Sequence, residues 1–279
     1  MAYGALTLAR LGLPVRAVVG ADAAAATAPE LDLLRDAGAE VRIAPLRRGP
    51  IFVNEERAEG RHQIAAEVPD PIGLDSLPAP WRSAGAVLLA PVAGELGPEW
   101  ATAARVGSVV ALGWQGLLRR VVRGEAVARV APGPHAFLTV ADLIGLSADD
   151  LTSDLRPRDL VDLIRPGATV VITRGDRGGT ALTSRRPARA ALHAYRAIAS
   201  DRVVDPTGAG DVFLAALLAI RLAPDLLAGL QGGGRGSDLR FAAAAASLAV
   251  EAPGLEGVPT LDAVLRRAER ARSGRARSA

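Results

Sequence analysis

Residues 203–218 read Val203-Val204-Asp205-Pro206-Thr207-Gly208-Ala209-Gly210-Asp211-Val212-Phe213-Leu214-Ala215-Ala216-Leu217-Leu218. A cluster of turn formers runs straight into an apolar helix. Two glycines let the backbone approach a ligand closely, and the N–H groups of the first helical turn have no partner within the helix. With the positive end of the helix dipole they make an anion site. Asp211 falls in that first turn. A carboxylate beside a bound phosphate would repel it, so binding alone does not explain the residue. A general base that takes a proton from an attacking hydroxyl does explain it. The arrangement suits phosphoryl transfer, where positioning and charge stabilisation dominate. A purely structural alternative stays open on these residues: Asp205 or Thr207 caps a buried helix and Asp211 complements its dipole.

The rest of the chain narrows the chemistry. Its 279 residues are 49% hydrophobic and 23% charged, as in an ordinary globular protein with a sizeable core. It has no cysteine and no lysine, so all 33 basic residues are arginine. This excludes disulfides, thiolate zinc sites, a cysteine nucleophile, Schiff-base chemistry and the P-loop lysine. Phosphate charge must be met by Arg, backbone N–H groups or metal. The histidines His62, His135 and His193 are scattered without metal-ligand spacing. Residues 266–279 hold six Arg and one Glu, a charge of +5, which leaves the remainder at −2. The high pI is therefore a property of one end, read as a solvated tail rather than a nucleic-acid surface. The longest stretch without Asp, Glu, Arg or His is Val106–Leu118, thirteen residues and too short to span a bilayer. A cytoplasmic location is expected.

Short apolar runs alternate with longer amphipathic or Ala-rich segments. Strands are expected at Val15–Val19, Val41–Ala44, Ile51–Asn54, Ala86–Leu89, Ser108–Leu112, Asp142–Leu146 and Thr169–Thr173. Helices are expected at Leu6–Leu11, Ala28–Ala37, Gly97–Val106, Arg158–Ile164, Ala209–Leu222, Asp238–Val250 and Leu261–Ala271. The alternation predicts an α/β fold with a mainly parallel central sheet flanked by helices. Residues 1–272 read as a single domain with a small β flap at about 41–70, and 273–279 as a basic flexible tail.

The string D-P-T-G-A-G-D-x-F at Asp205–Phe213 resembles the C-terminal signature of the ribokinase/PfkB family of sugar and nucleoside kinases. Upstream, Val170-Val171-Ile172-Thr173-Arg174-Gly175-Asp176-Arg177-Gly178-Gly179 is similar to the family's strand followed by T-x-G-x-x-G. Further likeness runs through Ala5–Asp22, Leu34–Val41 and Ala243–Gly254. Gly94-Glu95-Leu96 and Trp114-Gln115-Gly116-Leu117-Leu118-Arg119 resemble the subgroup that includes plant myo-inositol kinases, with Gly113 where D-x-Q-G-x-x-R would have Asp. The resemblance implies a ribokinase-like three-layer fold and ATP-dependent phosphorylation of a sugar or cyclitol hydroxyl. Asp211 would be the base, and Gly208, Ala209 and Gly210 the anion hole. Thr173, Gly175, Gly178, Asp205, Thr207 and Gly254 would border the nucleotide, and Asp205 would help to hold a monovalent cation. Asn54, Arg61, Gln63, Gln115 and Arg119 are candidates for the polyol.

Two departures stand out. Family members begin with a strand that carries a substrate-binding Asp, followed by a Gly-Gly pair. This chain opens at Met1 inside the following helix, which reads as truncation. Ser147-Ala148-Asp149-Asp150 replaces the family's N-x-x-E, leaving Asp150 as the candidate near Mg²⁺. The structural alternative there is a helix N-cap with an acidic first turn. The expected partner is a small sugar or polyol, with no membrane and no nucleic acid, and a homodimer is allowed. The alternatives are a nucleoside or deoxy-ketogluconate kinase, or a non-catalytic nucleotide-binding regulator.

Overall fold

The computed structural model describes residues 2–57, 60–152, 157–185, 189–230 and 236–276. In chain order its main elements are α1 (Ala2–Arg10), β1 (Arg16–Ala21), α2 (Glu30–Asp36), β2 (Glu40–Pro45), β3 (Ile51–Arg57), β4 (Gly60–Glu67), β5 (Ala86–Leu89) and β6 (Val109–Gly113). There follow β7 (Arg119–Arg120), β8 (Ala128–Arg129), α3 (Ala136–Val140), β9 (Leu143–Ser147), β10 (Thr169–Thr173), β11 (Gly179–Arg185), β12 (Arg189–Tyr195), α4 (Ala209–Leu222), α5 (Ser237–Ala249) and α6 (Leu261–Ala276).

The central sheet has the order β12-β11-β10-β9-β6-β5, with β5, β6, β9 and β10 parallel and the last two strands an antiparallel extension. Side chains alternate between two cores, as the two-residue period of a buried strand requires. Val109, Ala111, Leu143 and Val171 face a layer built from α1, α4, α5 and α6. Val110, Leu112, Ile144, Val170 and Ile172 face Trp100, Phe137, Leu138 and Leu160. The result is a three-layer α/β fold of the ribokinase-like kind. Helix α4 is buried continuously from Val212 to Ile220, which explains its nearly unbroken apolar sequence. Alanines 242–245 of α5 are small enough to bring that helix close to it.

β1 and β2 pair in parallel as a separate two-stranded sheet. Its side chains enter the same two cores, with Ala17 and Val19 in one and Val18 and Ala44 in the other. On β5 the same alternation places Ala86 and Leu88 in the first core and Val87 and Leu89 in the second. Among the described residues, β1 and β5 each keep one edge without a ladder partner. Strands β3 and β4 form an antiparallel hairpin, the flap proper, which begins after β2 rather than with it. Asp22 pins its root by accepting N–H bonds from Ala24, Ala25 and Gly49. The bonds from Ala25 and Gly49 hold that carboxyl below the usual carboxylate range.

Three expectations need correction. Gly97–Val106 forms only a 3₁₀ turn at Pro98–Thr102, and Val106 stands fully in solvent. Arg158–Ile164 is likewise a 3₁₀ segment, Pro157–Leu163, because Pro166-Gly167 ends it before α-helical bonding can propagate. At the C-terminus α6 continues to Ala276, so residues 273–276 are helical. Its Arg267 is 4% exposed and binds Asp201 and Glu251 at 3.1 and 2.8 Å, which makes one member of the basic run a buried structural cation.

Gly116, in the turn after β6, has a local explanation. A Cβ there would lie 2.2 Å from the Pro91 carbonyl oxygen and 2.8 Å from the Val92 nitrogen. Backbone cannot yield cheaply, so Gly116→Ala is expected to cost about 2 kcal/mol. Thermal unfolding beside the unaltered protein measures this; an unchanged midpoint would contradict the packing.

Candidate active site

Apart from Asn54, Arg61 and Gln63 on the flap, the candidate groups cluster around the C-terminal ends of the parallel strands, where open α/β sheets place their ligands. Ala90, Pro91 and Val92 follow β5; Gln115 and Arg119 follow β6; Asp150 follows β9; and Gly175 follows β10. The N-terminus of α4 points into the same region.

Gly208 begins α4 in the left-handed conformation, φ 78° and ψ −3°, which a side chain would strain. The turn before it is held by Asp205, whose Oδ1 accepts the Thr207 N–H at 2.9 Å and whose Oδ2 accepts the Gly254 N–H at 3.1 Å. Asp205 thus clamps two loops together, and these bonds account for it without a cation. Val212 N–H closes the first helical turn on the Gly208 carbonyl. Among the described residues no protein acceptor faces the N–H of Gly210 or Asp211. A Cβ on Gly210 would touch nothing within 4 Å. Open space and unpaired donors are the geometry that an anion would need at this turn, although the Ala209 N–H is taken by the Pro206 carbonyl at 3.4 Å.

Asp211 lines a small cleft with Ala90, Pro91, Val92, Gly113 and Gln115. Gly113 borders it: a Cβ there would stand 3.9 Å from Asp211 Oδ1, an ordinary contact distance. The Pro91–Ala93 turn is set by Glu95, whose carboxylate accepts the N–H groups of Val92 and Ala93 at 2.8 and 2.7 Å. Sequence reasoning missed Ala90, Pro91 and Val92 as site residues. Their position just past a parallel strand is the signal that could have found them.

The polyol candidates form one hydrogen-bonded chain from flap to cleft. Gln63 donates to Asn54 at 2.8 Å across the hairpin. Arg119 donates to Gln63 at 3.3 Å and to Asp150 Oδ1 at 3.4 Å. Gln115 donates to Asp150 Oδ1 at 3.1 Å. Arg61, on β4, pairs through its backbone with Glu56 on β3, but its side chain lies outside the described residues.

Asp150, 6% exposed, also receives the Ser147 N–H at 3.2 Å in a capping box. Both its oxygens thus accept protein donors, and its place is that of an anchor for Gln115 and Arg119 rather than a free metal ligand. No group of three or more acidic or histidine residues able to hold a metal occurs among the described residues. A closed set of protein ligands is thus lacking among the described residues, and a Mg²⁺ held by donor phosphates and water would not need one.

The β10–β11 loop divides. Gly175 has φ 55° and open space beside it, as does Gly254 with φ 51°. Thr173, however, turns its hydroxyl to the Leu146 carbonyl at 3.3 Å. Gly178 is required by packing, since a Cβ would lie 2.2 Å from the Tyr195 carbonyl oxygen. Both have explanations within the fold that need no phosphate. Asp205, Thr207, Gly254 and Gly208–Asp211 come together; Thr173 and Gly178 serve the hairpin.

With this geometry in place, residues 136–261, which include the α4 turn, the β10–β11 loop and Gly254, match the model of the pfkB family carbohydrate kinases. This segment is similar to the pfkB family carbohydrate kinases. The match supports a phosphotransferase with an alcohol group as acceptor. No curated protein sequence matches the chain. Among solved structures, a pyrophosphate-dependent kinase in the ribokinase family, complexed with a pyrophosphate analog and myo-inositol, aligns at TM-score 0.68 and 20% identity, covering 91% of this chain and 88% of its own. Arabidopsis thaliana ribokinase, complexed with ribose and ATP, aligns at 0.64 and 21%, covering 96% and 86%. The nucleoside kinase of Methanocaldococcus jannaschii aligns at 0.66 and 16%, covering 96% and 85%. At these identities the likeness establishes the fold. Among the described residues, no helix is long and apolar enough to cross a membrane.

Proposed function

We propose that the chain transfers a phosphoryl group from ATP to a hydroxyl of a sugar or cyclitol. The carrying observation is the cleft in which Asp211 and Gln115 meet, beside N–H groups at the start of α4 that have no protein acceptor. The acceptor hydroxyl lies in that cleft and gives its proton to the Asp211 carboxylate as its oxygen attacks the terminal phosphorus. The bond from phosphorus to the leaving phosphate oxygen breaks as the new one forms. The N–H groups of Gly208 and Gly210 take up charge on the transferring group, whereas the Ala209 N–H, which the sequence also suggested, is spent on the Pro206 carbonyl at 3.4 Å. Gln115 and Arg119, both anchored on Asp150, orient the hydroxyl-rich acceptor, and Asn54 and Gln63 extend that surface onto the flap. No step uses a metal held by the protein.

The test is a panel of polyols, aldoses and nucleosides with ATP, read by ADP release, with a parallel series in which pyrophosphate is the donor. The second donor is included because similar folds include a pyrophosphate-dependent kinase. Phosphorylation of a cyclitol or sugar supports the reading; ATP-dependent thermal stabilisation with no turnover on any acceptor would favour a nucleotide-binding regulator instead. Replacement of Arg119 by methionine removes one charged donor from Asp150 and loosens Gln115. The KM for the acceptor is expected to rise about tenfold, the effect of one lost charge-assisted hydrogen bond, with a smaller change in kcat. Initial rates over an acceptor series measure both.

A further inference from the structure

The α4 turn is backed by a residue from the other end of the chain. A Cβ built on Gly208 would lie 2.3 Å from Tyr3 Cγ and Cδ1 and 2.5 Å from Cδ2. Three ring atoms at nearly equal range mean that the aromatic face lies directly against the Gly208 backbone. Helix α1, which carries Tyr3, packs along α4. The Tyr3 carbonyl accepts the hydroxyl of the fully buried Thr7 at 2.7 Å, which fixes the helical turn behind the ring.

We propose that Tyr3 is a positioning residue for phosphoryl transfer: its ring, laid on Gly208, holds the left-handed turn that aims the N–H groups of the anion hole. This rests on the reading of Gly208–Asp211 as that hole, and extends it to a residue outside the matched pfkB segment. Two physical facts support it. First, a left-handed residue followed at once by a helix is a local conformation that the unpaired Gly210 and Asp211 N–H groups do nothing to fix, so the restraint must come from packing. Asp205 supplies it on one side through Thr207, and Tyr3 on the other. Second, Tyr3 lies within electrostatic reach of Asp205 and Asp211. Burial raises its pKa, and the negative charges of Asp205 and Asp211 raise it further, so it remains neutral and adds no charge to the anion hole.

The experiment compares Tyr3→Phe, Tyr3→Leu and Tyr3→Ala by steady-state kinetics, by calorimetric titration with ATP and with pyrophosphate, and by thermal unfolding. Tyr3→Phe keeps the ring and is expected to retain kcat within about threefold, whereas Tyr3→Ala loses about 10–100-fold in kcat with little change in acceptor KM, as for a displaced catalytic group. Tyr3→Leu restores bulk without a flat ring and covers the case in which Tyr3→Ala fails to fold. The decisive arm is a double-mutant cycle. Gly208→Ala is expected to cost at least about fivefold less in the Tyr3→Ala background than alone, because the clash is then gone while the left-handed strain remains. Additive losses would overturn the proposal. So would Tyr3→Phe losing as much as Tyr3→Ala, which would assign the effect to the hydroxyl. Donor binding is read without turnover. A wild-type chain that binds ATP or pyrophosphate but phosphorylates nothing would therefore count against the kinase reading, and the cycle in binding affinity would still decide the role of Tyr3.

Discussion

Asp211→Asn is expected to lower kcat by about 10²–10⁴-fold, the usual contribution of a positioned general base, while donor binding survives. The substitution keeps shape and removes the ability to accept a proton. Asp211 sits on the first turn of α4, whose fold depends on Gly208 and on burial from Val212 onward rather than on this carboxylate. The variant should therefore unfold at the wild-type temperature. Removing a negative charge beside the anion site should leave ATP affinity unchanged or slightly tighter. ADP release gives the rate and calorimetry the affinity. Near-normal turnover would remove Asp211 from the chemistry; loss of both turnover and binding would assign it to the structure of the turn.

The largest expected loss of stability follows from Arg267→Ala. This guanidinium, buried on α6, donates to the Asp201 and Glu251 carboxylates, the Ser247 hydroxyl and the Ala199 carbonyl. Glu251 in turn accepts the Asp201 N–H at 2.6 Å, and the Val250 carbonyl accepts the Val204 N–H at 2.7 Å. The arginine thus ties the segment leading into the anion turn to the end of α5. Removing one partner leaves Glu251 partly buried with its charge uncompensated, and breaking such a pair costs about 3 kcal/mol. For a chain of this size that is a fall of roughly 6–12 °C in the unfolding midpoint. Arg267→Lys, which keeps the charge but cannot span four acceptors, should fall in between. A melting temperature within a degree of wild type would contradict the network.

The parts of the fold that were readable are those where one local rule dominates. Ala86–Leu89, Thr169–Thr173 and Ala209–Leu222 have the predicted boundaries, because β-branched or fully apolar runs end there at glycine, proline or a turn. Strands β4 and β12 are hairpin returns whose pairing is set by their partners, and β4, with Arg61, His62 and Gln63, has no clean alternation to show. The 3₁₀ segments were over-read as helices because their apolar spacing is helical while their length is limited by flanking Pro and Gly. In the candidate site, the turn and helix start at Gly208–Asp211 were legible from turn chemistry. The use of Asp150 as an anchor was not, since a carboxylate that binds metal and one that accepts Gln115 and Arg119 have the same sequence. Tyr3 was invisible for a different reason: its meaning lies in a contact across more than 200 residues.

The separation between the β1–β2 pair and the six-stranded sheet bears on mechanics. Elsewhere neighbouring strands are riveted by regular ladder bonds. Here the junction is held by interdigitated side chains, such as Leu88 against the Gly4 backbone of α1, and by α1 bridging above. Side-chain contacts can slide by a fraction of an ångström where ladder bonds would have to break. The flap is rooted on the β2 side of this seam and Asp211 on the other. Flap and cleft are thus joined across this junction by side-chain packing rather than by a strand ladder. Amide exchange should register this as faster opening of β1 and β5 than of β9 and β10.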